Sequence, residues 1–190
     1  MGEGGGRRKE EFKSRFFVAL LPPLEVEQYA DRVIRELGDR YATSTAKASP
    51  HVTLQPPFEW WMSQVGALET CLAEFAIGQS STLVRLSGFG AFKPRVLFIN
   101  VVKTPELLAL QSALKQHLQA ELNIADPNAD RPFSPHITVA SRHLTPLSFR
   151  QVWTQLQARP VEFEFSGDRL TLLVHTGQQW LVRSTFPLAE

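Results

Sequence analysis

The chain carries one cysteine, Cys71, so no disulfide can form within it, and such sparse thiol usage fits a reducing compartment such as the cytoplasm. Long hydrophobic runs are missing too: no stretch approaches the roughly 18–20 apolar residues that span a bilayer. The apolar segment Phe16–Leu21 follows a charged N-terminus, but it is too short for a signal-peptide core and stops at Pro22-Pro23. Charge of one sign is absent, with 20 Lys+Arg against 19 Asp+Glu. No strong field is therefore available to hold a long nucleic-acid duplex. The 11 glycines and 13 prolines show no period, which excludes a collagen-like or low-complexity chain. Metal motifs are lacking as well: there is no H-E-x-x-H, no C-x-x-C and no acidic cluster beside a histidine motif. The expectations are a protein without metal, cofactor or membrane segment, acting as a cytoplasmic monomer.

What is present suffices for a folded core. Of 190 residues, 43% are hydrophobic, and 13 Phe with 4 Trp supply apolar surface to offset chain entropy. Residues 1–14 are glycine-rich, mixed in charge and aperiodic, and read as a flexible tail. A single domain over 15–190 is expected to follow. Arg15–Leu21 reads as a buried strand, and Val26, Ala30, Val33 and Leu37 mark one face of a helix from Leu24 to Asp39. Val52–Gln55, bounded by prolines, reads as a short strand, and Val65, Leu68, Leu72 and Phe75 as a second helix ending near Gly78. Thr82–Leu86 and Arg95–Val102 suggest paired strands, joined by turn residues from Gly88 to Pro94. Thr104-Pro105-Glu106 opens a third helix with a cap, a first-turn proline and an acid. After the strand His136–Ala140, Thr145-Pro146 opens a fourth. The segments 161–165, 169–175 and 180–186 suggest three strands in antiparallel succession.

One pattern outweighs the rest. Ser49-Pro50-His51-Val52-Thr53-Leu54 recurs as Ser134-Pro135-His136-Ile137-Thr138-Val139, with the two histidines 85 positions apart. Two copies of so long a unit imply two similar lobes. In a strand, His and Thr point to one face while the intervening apolar residues point to the other. An imidazole titrates near neutrality, and a hydroxyl both donates and accepts hydrogen bonds. Two such pairs, opposed across a cleft, suit in-line displacement at phosphorus. His51 and His136 would serve as base and acid, and Thr53 and Thr138 would hold the non-bridging oxygens. His143 lies where it could border the cleft, whereas His117 reads as solvated and His175 as structural. Phe58, Phe92 and Phe133 are candidates for stacking a base.

The two H-x-T-x motifs resemble the signature of the 2H phosphoesterase superfamily. Arg15-Phe16-Phe17-Val18-Ala19-Leu20, Gly88-Phe89-Gly90-Ala91-Phe92 followed by Pro94-Arg95-Val96-Leu97, and Arg131-Pro132-Phe133-Ser134-Pro135-His136 resemble its 2′-5′ RNA ligase / RNA 2′,3′-cyclic phosphodiesterase branch. The resemblance implies a bilobal α+β fold with pseudo-two-fold symmetry, two antiparallel sheets and flanking helices around a central cleft. It implies hydrolysis of a terminal 2′,3′-cyclic phosphate to a 2′-phosphate, with weak reverse 2′-5′ joining. Carried over, His51 and His136 are the catalytic pair and Thr53 and Thr138 the phosphate binders. The first motif departs from the branch by continuing as Gln55-Pro56-Pro57-Phe58. The branch's arginine after the second motif stands here one position later, as Arg142, so Arg95 and Arg142 are both candidate substrate contacts. Rival readings are an RNA-trimming 3′-5′ phosphodiesterase, an ADP-ribose cyclic phosphate phosphodiesterase, and a non-catalytic RNA- or nucleotide-binding module. Near-neutral charge favours a nucleotide or an RNA terminus as partner over a long duplex.

Overall fold

The computed structural model describes residues 11–189. Eight strands, β1 (Lys13–Leu20), β2 (Val52–Trp61), β3 (Thr82–Phe92), β4 (Val96–Val101), β5 (His136–Ala140), β6 (Glu162–Gly167), β7 (Arg169–His175) and β8 (Trp180–Pro187), are interspersed with four α-helices that follow β1, β2, β4 and β5. These are α1 (Leu24–Tyr41), α2 (Val65–Ile77), α3 (Pro105–Leu122) and α4 (Pro146–Leu156). The strands form two four-stranded sheets, ordered β2-β1-β7-β8 and β5-β4-β3-β6, with every strand pairing antiparallel.

The two repeats are interlocked. In each, a central strand (β1 or β4) is followed by a helix and then by an edge strand that begins at the motif (β2 or β5). The next strand of the first repeat, β3, leaves its own sheet and pairs with β4, while β7 of the second repeat pairs with β1. Helices cross over likewise: α1 packs on β5, and α3 packs on β2. The apolar faces of both sheets and all four helices share one continuous core, from Phe16, Val18 and Leu20 to Leu97, Ile99, Ile137 and Val139.

Several elements differ in extent from the sequence expectation. Residues 1–10 of the expected tail lie outside the described residues, but Lys13 and Ser14 already pair with Trp61 and Trp60, so β1 starts inside the segment read as tail. β2 runs through Pro56-Pro57 to Trp61; as an edge strand it can leave the proline nitrogens outside the ladder. Gly88–Phe92 belongs to β3, because Gly88, at a φ of 66°, lets the ladder shift register between Leu86 and Phe89 and then resume. The last three strands are not one antiparallel succession: β6 pairs with β3 in one sheet, and β7 pairs with β8 in the other. The caps behave as expected, with Thr104 Oγ1 accepting from the Leu107 N–H and Thr145 making a reciprocal capping box with Ser148.

Among the described residues no helix is long and apolar enough to cross a membrane.

Candidate active site

Each motif begins an edge strand, and the alternation expected of a strand is present in both. Val52, Leu54, Ile137 and Val139 are buried, while His51, Thr53, His136 and Thr138 remain partly accessible on the other face. Both motif strands also carry a register shift at the same place. Ala19 faces Thr53 but Val18 faces Gln55, and Phe98 faces Thr138 but Leu97 faces Ala140. The extra residue is Leu54 in one repeat and Val139 in the other, each directly after the threonine. Such bulges bend a strand and re-aim its side chains.

The Ser-Pro leader acts through its backbone. His51 Nδ1 lies 2.7 Å from the carbonyl of Ser49, and His136 Nδ1 lies 2.7 Å from the carbonyl of Ser134. A carbonyl can only accept, so in both rings Nδ1 carries the proton and donates, leaving Nε2 as the nitrogen that titrates. The proline disfavours a helical turn at the preceding serine, which keeps that residue extended.

Two cavities meet the motif residues, and each combines the histidine of one repeat with the threonine of the other. The larger, about 500 Å³, is lined by His136 and Thr53 together with residues of α3 and the loop before His136. The smaller, about 110 Å³, is lined by His51, Thr138, Ser141 and the loop before His51. The crossing follows from the interlocked topology, which brings β2 and β5 together.

Burial pushes both imidazoles below the ordinary histidine value. For His51 the charge of His136 adds to that effect, and the hydrogen bond to Ser49 opposes it. For His136 burial outweighs the opposing bond to Ser134. Both rings are therefore predominantly neutral at pH 7, and charge on His136 opposes charging of His51. An anion between them would favour protonation.

Aromatic rings fix the two histidines differently. Phe17 lies 4.7 Å from the His51 ring, and Trp180 meets Phe17 edge-on at 4.7 Å, with the Arg15 guanidinium over the indole. His136 contacts Phe92 edge-on at 5.1 Å and Phe98 at 5.0 Å. Gly90 faces Phe98 across β3 and β4, and a Cβ there would fall 2.6 Å from Phe98 Cζ. Glycine at this position makes room for the ring that supports His136.

The remaining sequence candidates are distributed unevenly. Phe133 and Phe92 line the larger cavity. Phe58 packs on Phe16 in the main core, because it pairs with that residue across β1 and β2. Arg95 is exposed in the β3–β4 turn and lines neither cavity. Arg142 is exposed, and its backbone is held by Ser44, whose carbonyl accepts from the Ser141 and Arg142 N–H groups. His143 is exposed at a φ of 62° and also lines neither cavity. His117 is not solvated: it is half-buried, bonded to the Cys71 carbonyl and packed at a tilt against Phe75, joining α3 to α2. His175 accepts from the Gly177 N–H and packs on Trp180.

Residues the sequence reading did not single out as site candidates complete the larger cavity: Gln111, Lys115, Asp126, Asn128, and Arg131, which it quoted only within the family-like stretch. Gln111 Nε2 donates to the Leu54 carbonyl, and Lys115 pairs with Asp126 at 2.8 Å. A signal existed for Gln111, which stands four residues after Leu107 within the apolar stripe of α3. A polar residue in a buried stripe asks for a partner or a ligand.

The model of the 2′-5′ RNA ligase superfamily matches residues 22–179, so the chain belongs to that superfamily. A Bacillus pumilus (strain SAFR-032) protein named "Putative phosphoesterase" is 29% identical over 182 residues, covering 93% of this chain and 98% of that one. A protein of the same description from Geobacillus kaustophilus is 26% identical over 175 residues, covering 90% and 95%. Among solved structures, E. coli LigT complexed with 3′-AMP has a TM-score of 0.68 at 20% identity, covering 94% of this chain and 100% of that one. TT0787 of Thermus thermophilus has a TM-score of 0.66 at 22% identity, covering 92% and 97%. These likenesses show the same fold.

Proposed function

We propose that this protein is a phosphodiesterase that opens 2′,3′-cyclic phosphates, at RNA ends or on small nucleotides, to 2′-phosphates. The observation that carries the reading is the identical tethering of both histidines through Nδ1, which leaves two Nε2 atoms free to exchange protons. In the forward reaction the neutral imidazole takes a proton from water as the water oxygen attacks phosphorus. The P–O3′ bond breaks, and the second imidazole, protonated, gives its proton to the departing ribose oxygen. Thr53 and Thr138 donate to the non-bridging oxygens as charge gathers there. Each histidine ends in the other's starting state, and water exchange resets the pair. With a 5′-hydroxyl taking the place of water, the same steps break the P–O3′ bond and form a P–O5′ bond, which gives weak 2′-5′ ligase activity.

The steps require only these four side chains, so EDTA should leave the rate unchanged. Two features outside the site support the reading: relatives bear phosphoesterase names, and LigT has been crystallised with a nucleotide. The near balance of charge suits an RNA end or a mononucleotide better than a duplex. The test is incubation with 2′,3′-cyclic mononucleotides and cyclic-ended oligoribonucleotides, with and without EDTA, followed by chromatography. A 2′-phosphate product in both conditions is expected. Absence of turnover on every one of these substrates would leave a nucleotide-binding module in place of an enzyme.

A further inference from the structure

The two compartments of the site differ about fivefold in size, and the difference originates in the loops that precede the motifs. Both loops start from a helix ended by a left-handed residue, Ala42 after α1 and Asn123 after α3. The first then reaches its histidine in nine residues and the second in thirteen. The shorter loop brings Thr45, Ala46, Ala48 and Pro50 close over His51 and leaves about 110 Å³. That is well below the roughly 300–1,000 Å³ usual for a small-molecule pocket, whereas 500 Å³ falls within it.

The larger compartment is built as a pocket. Its walls are apolar, from Phe92, Phe133, Pro56 and Pro132, and its polar groups come from α3 and from the loop that follows it, Arg131 included. Gln111 is only 6% exposed. Its bond to the Leu54 carbonyl, which can only accept, fixes the amide with Nε2 turned to that carbonyl, and the hydrogen bonds among the described residues leave Oε1 without a donor. One turn along, Lys115 engages Asp126 with one of its three N–H donors. Asp126 is itself almost wholly buried and also accepts from the Asn128 N–H. The amide of a buried glutamine and a largely buried cation thus line an apolar-walled pocket beside His136 and Thr53.

We infer that this compartment reads a nucleobase: Gln111 Oε1 accepts an N–H of the base edge, and Lys115 donates to an adjacent ring nitrogen or carbonyl. Phe92 and Phe133 cover the ring faces. The inference rests on the phosphodiesterase reading above, because it places the base on the ribose whose cyclic phosphate meets the histidines. It makes the protein base-selective, and it fixes the substrate's orientation with the nucleoside on the His136 side. A base whose edge mismatches would leave buried polar groups unpaired, and sites built this way reject such analogues strongly.

The experiment compares kcat/KM for the four nucleoside 2′,3′-cyclic monophosphates in the wild type, Gln111→Leu and Lys115→Met. The wild type should separate best from worst by about tenfold or more. Each substitution should compress that range, chiefly through KM of the preferred substrate. Turnover of all four within about twofold by the wild type, or an unchanged range in both variants, would overturn the inference. Calorimetric binding of the four nucleoside 2′-monophosphates to the wild-type protein reads the pocket without any turnover and without any variant. A tenfold spread of Kd with no hydrolysis would uphold base reading and overturn the enzyme. Equal Kd values alongside hydrolysis would do the reverse.

Discussion

The His51 and His136 environments share one backbone device and differ in almost everything around it. Each ring is tethered to the carbonyl of a serine two residues earlier, each stands at the start of an edge strand, and each strand bulges after its threonine. Beyond that, His51 leans on Phe17, which Trp180 backs, under a short loop, whereas His136 sits among Phe92 and Phe98 beside a large pocket. At the strand position opposite the threonine, the first repeat has Ala19 and the second has Phe98. On the proposed mechanism, symmetry is thus kept where protons would move and abandoned where a substrate would be held in one direction, a division that pseudo-two-fold chemistry on an asymmetric substrate demands.

The comparison is broken most directly by removing either histidine. His51→Ala and His136→Ala should each lower kcat by about 10²–10⁴, the usual worth of a positioned acid or base. The double variant should be little worse than either single one, since the two act as a unit. Near-normal turnover in one variant with abolition in the other would replace the paired scheme with a single-histidine mechanism. Thr53→Ala and Thr138→Ala test the phosphate contacts. Each should cost on the order of 2–4 kcal/mol at most in kcat, if it acts as one oxyanion donor. Steady-state kinetics on one cyclic nucleotide measures all four.

Much of this was legible in the sequence because the duplicated His-x-Thr is a local pattern, and alternation along a strand depends only on neighbours. The boundaries of α3 and β5 were legible for the same reason, being set by Thr104-Pro105 and by the motif itself. The exchange of β3 and β7 between sheets was not, because it depends on pairings far apart in the chain. Phe17, Phe98 and Trp180 look like ordinary core residues in sequence, and only the sheet faces turn them toward the histidines. Gln111 was visible as an interruption of the α3 stripe, but its partner, the Leu54 carbonyl, lies 57 residues away. Arg95 and Arg142 attracted notice as cations near motifs. Side-chain charge says nothing of where a turn will carry it.

A smaller effect is expected at Gly90, where the second repeat departs from the first. Gly90→Ala pushes a methyl group into the Phe98 ring, an overpacking that should destabilise by about 1–3 kcal/mol. The ring that moves is the one supporting His136, so kcat should fall as well, although no reacting group has been altered. A double-mutant cycle with Phe98→Leu sharpens this: the smaller side chain gives the methyl room, so Gly90→Ala should cost less in the Phe98→Leu background than in the wild type. Additive costs in denaturant unfolding would show that Gly90 is required for a reason other than the ring.

The smallest effect concerns pH, and it separates the two histidines by stability. Both folded-state values lie below the ordinary 6.5, with burial the leading cause, and His51 also bears the charge of His136. Above about pH 6.5 neither folded nor unfolded chain holds these protons, so the histidines leave stability unchanged there. As pH falls below that value the unfolded chain takes up protons that the folded one resists, so stability declines. The decline levels off once pH passes the lowered folded values. Denaturant unfolding at pH 7.5 and 5.5 reads this difference. It should shrink in His51→Gln and in His136→Gln, more in the former, whose charging is opposed by two causes. In the free enzyme the same depression should place the kcat/KM maximum on the acid side of pH 6.5, governed by the pair as a coupled system. Bound substrate, by favouring the charged imidazole, should carry the kcat maximum upward from there. A kcat/KM maximum at pH 8 or above would mean that neither histidine sets the limbs, and that the shared backbone tether serves structure alone.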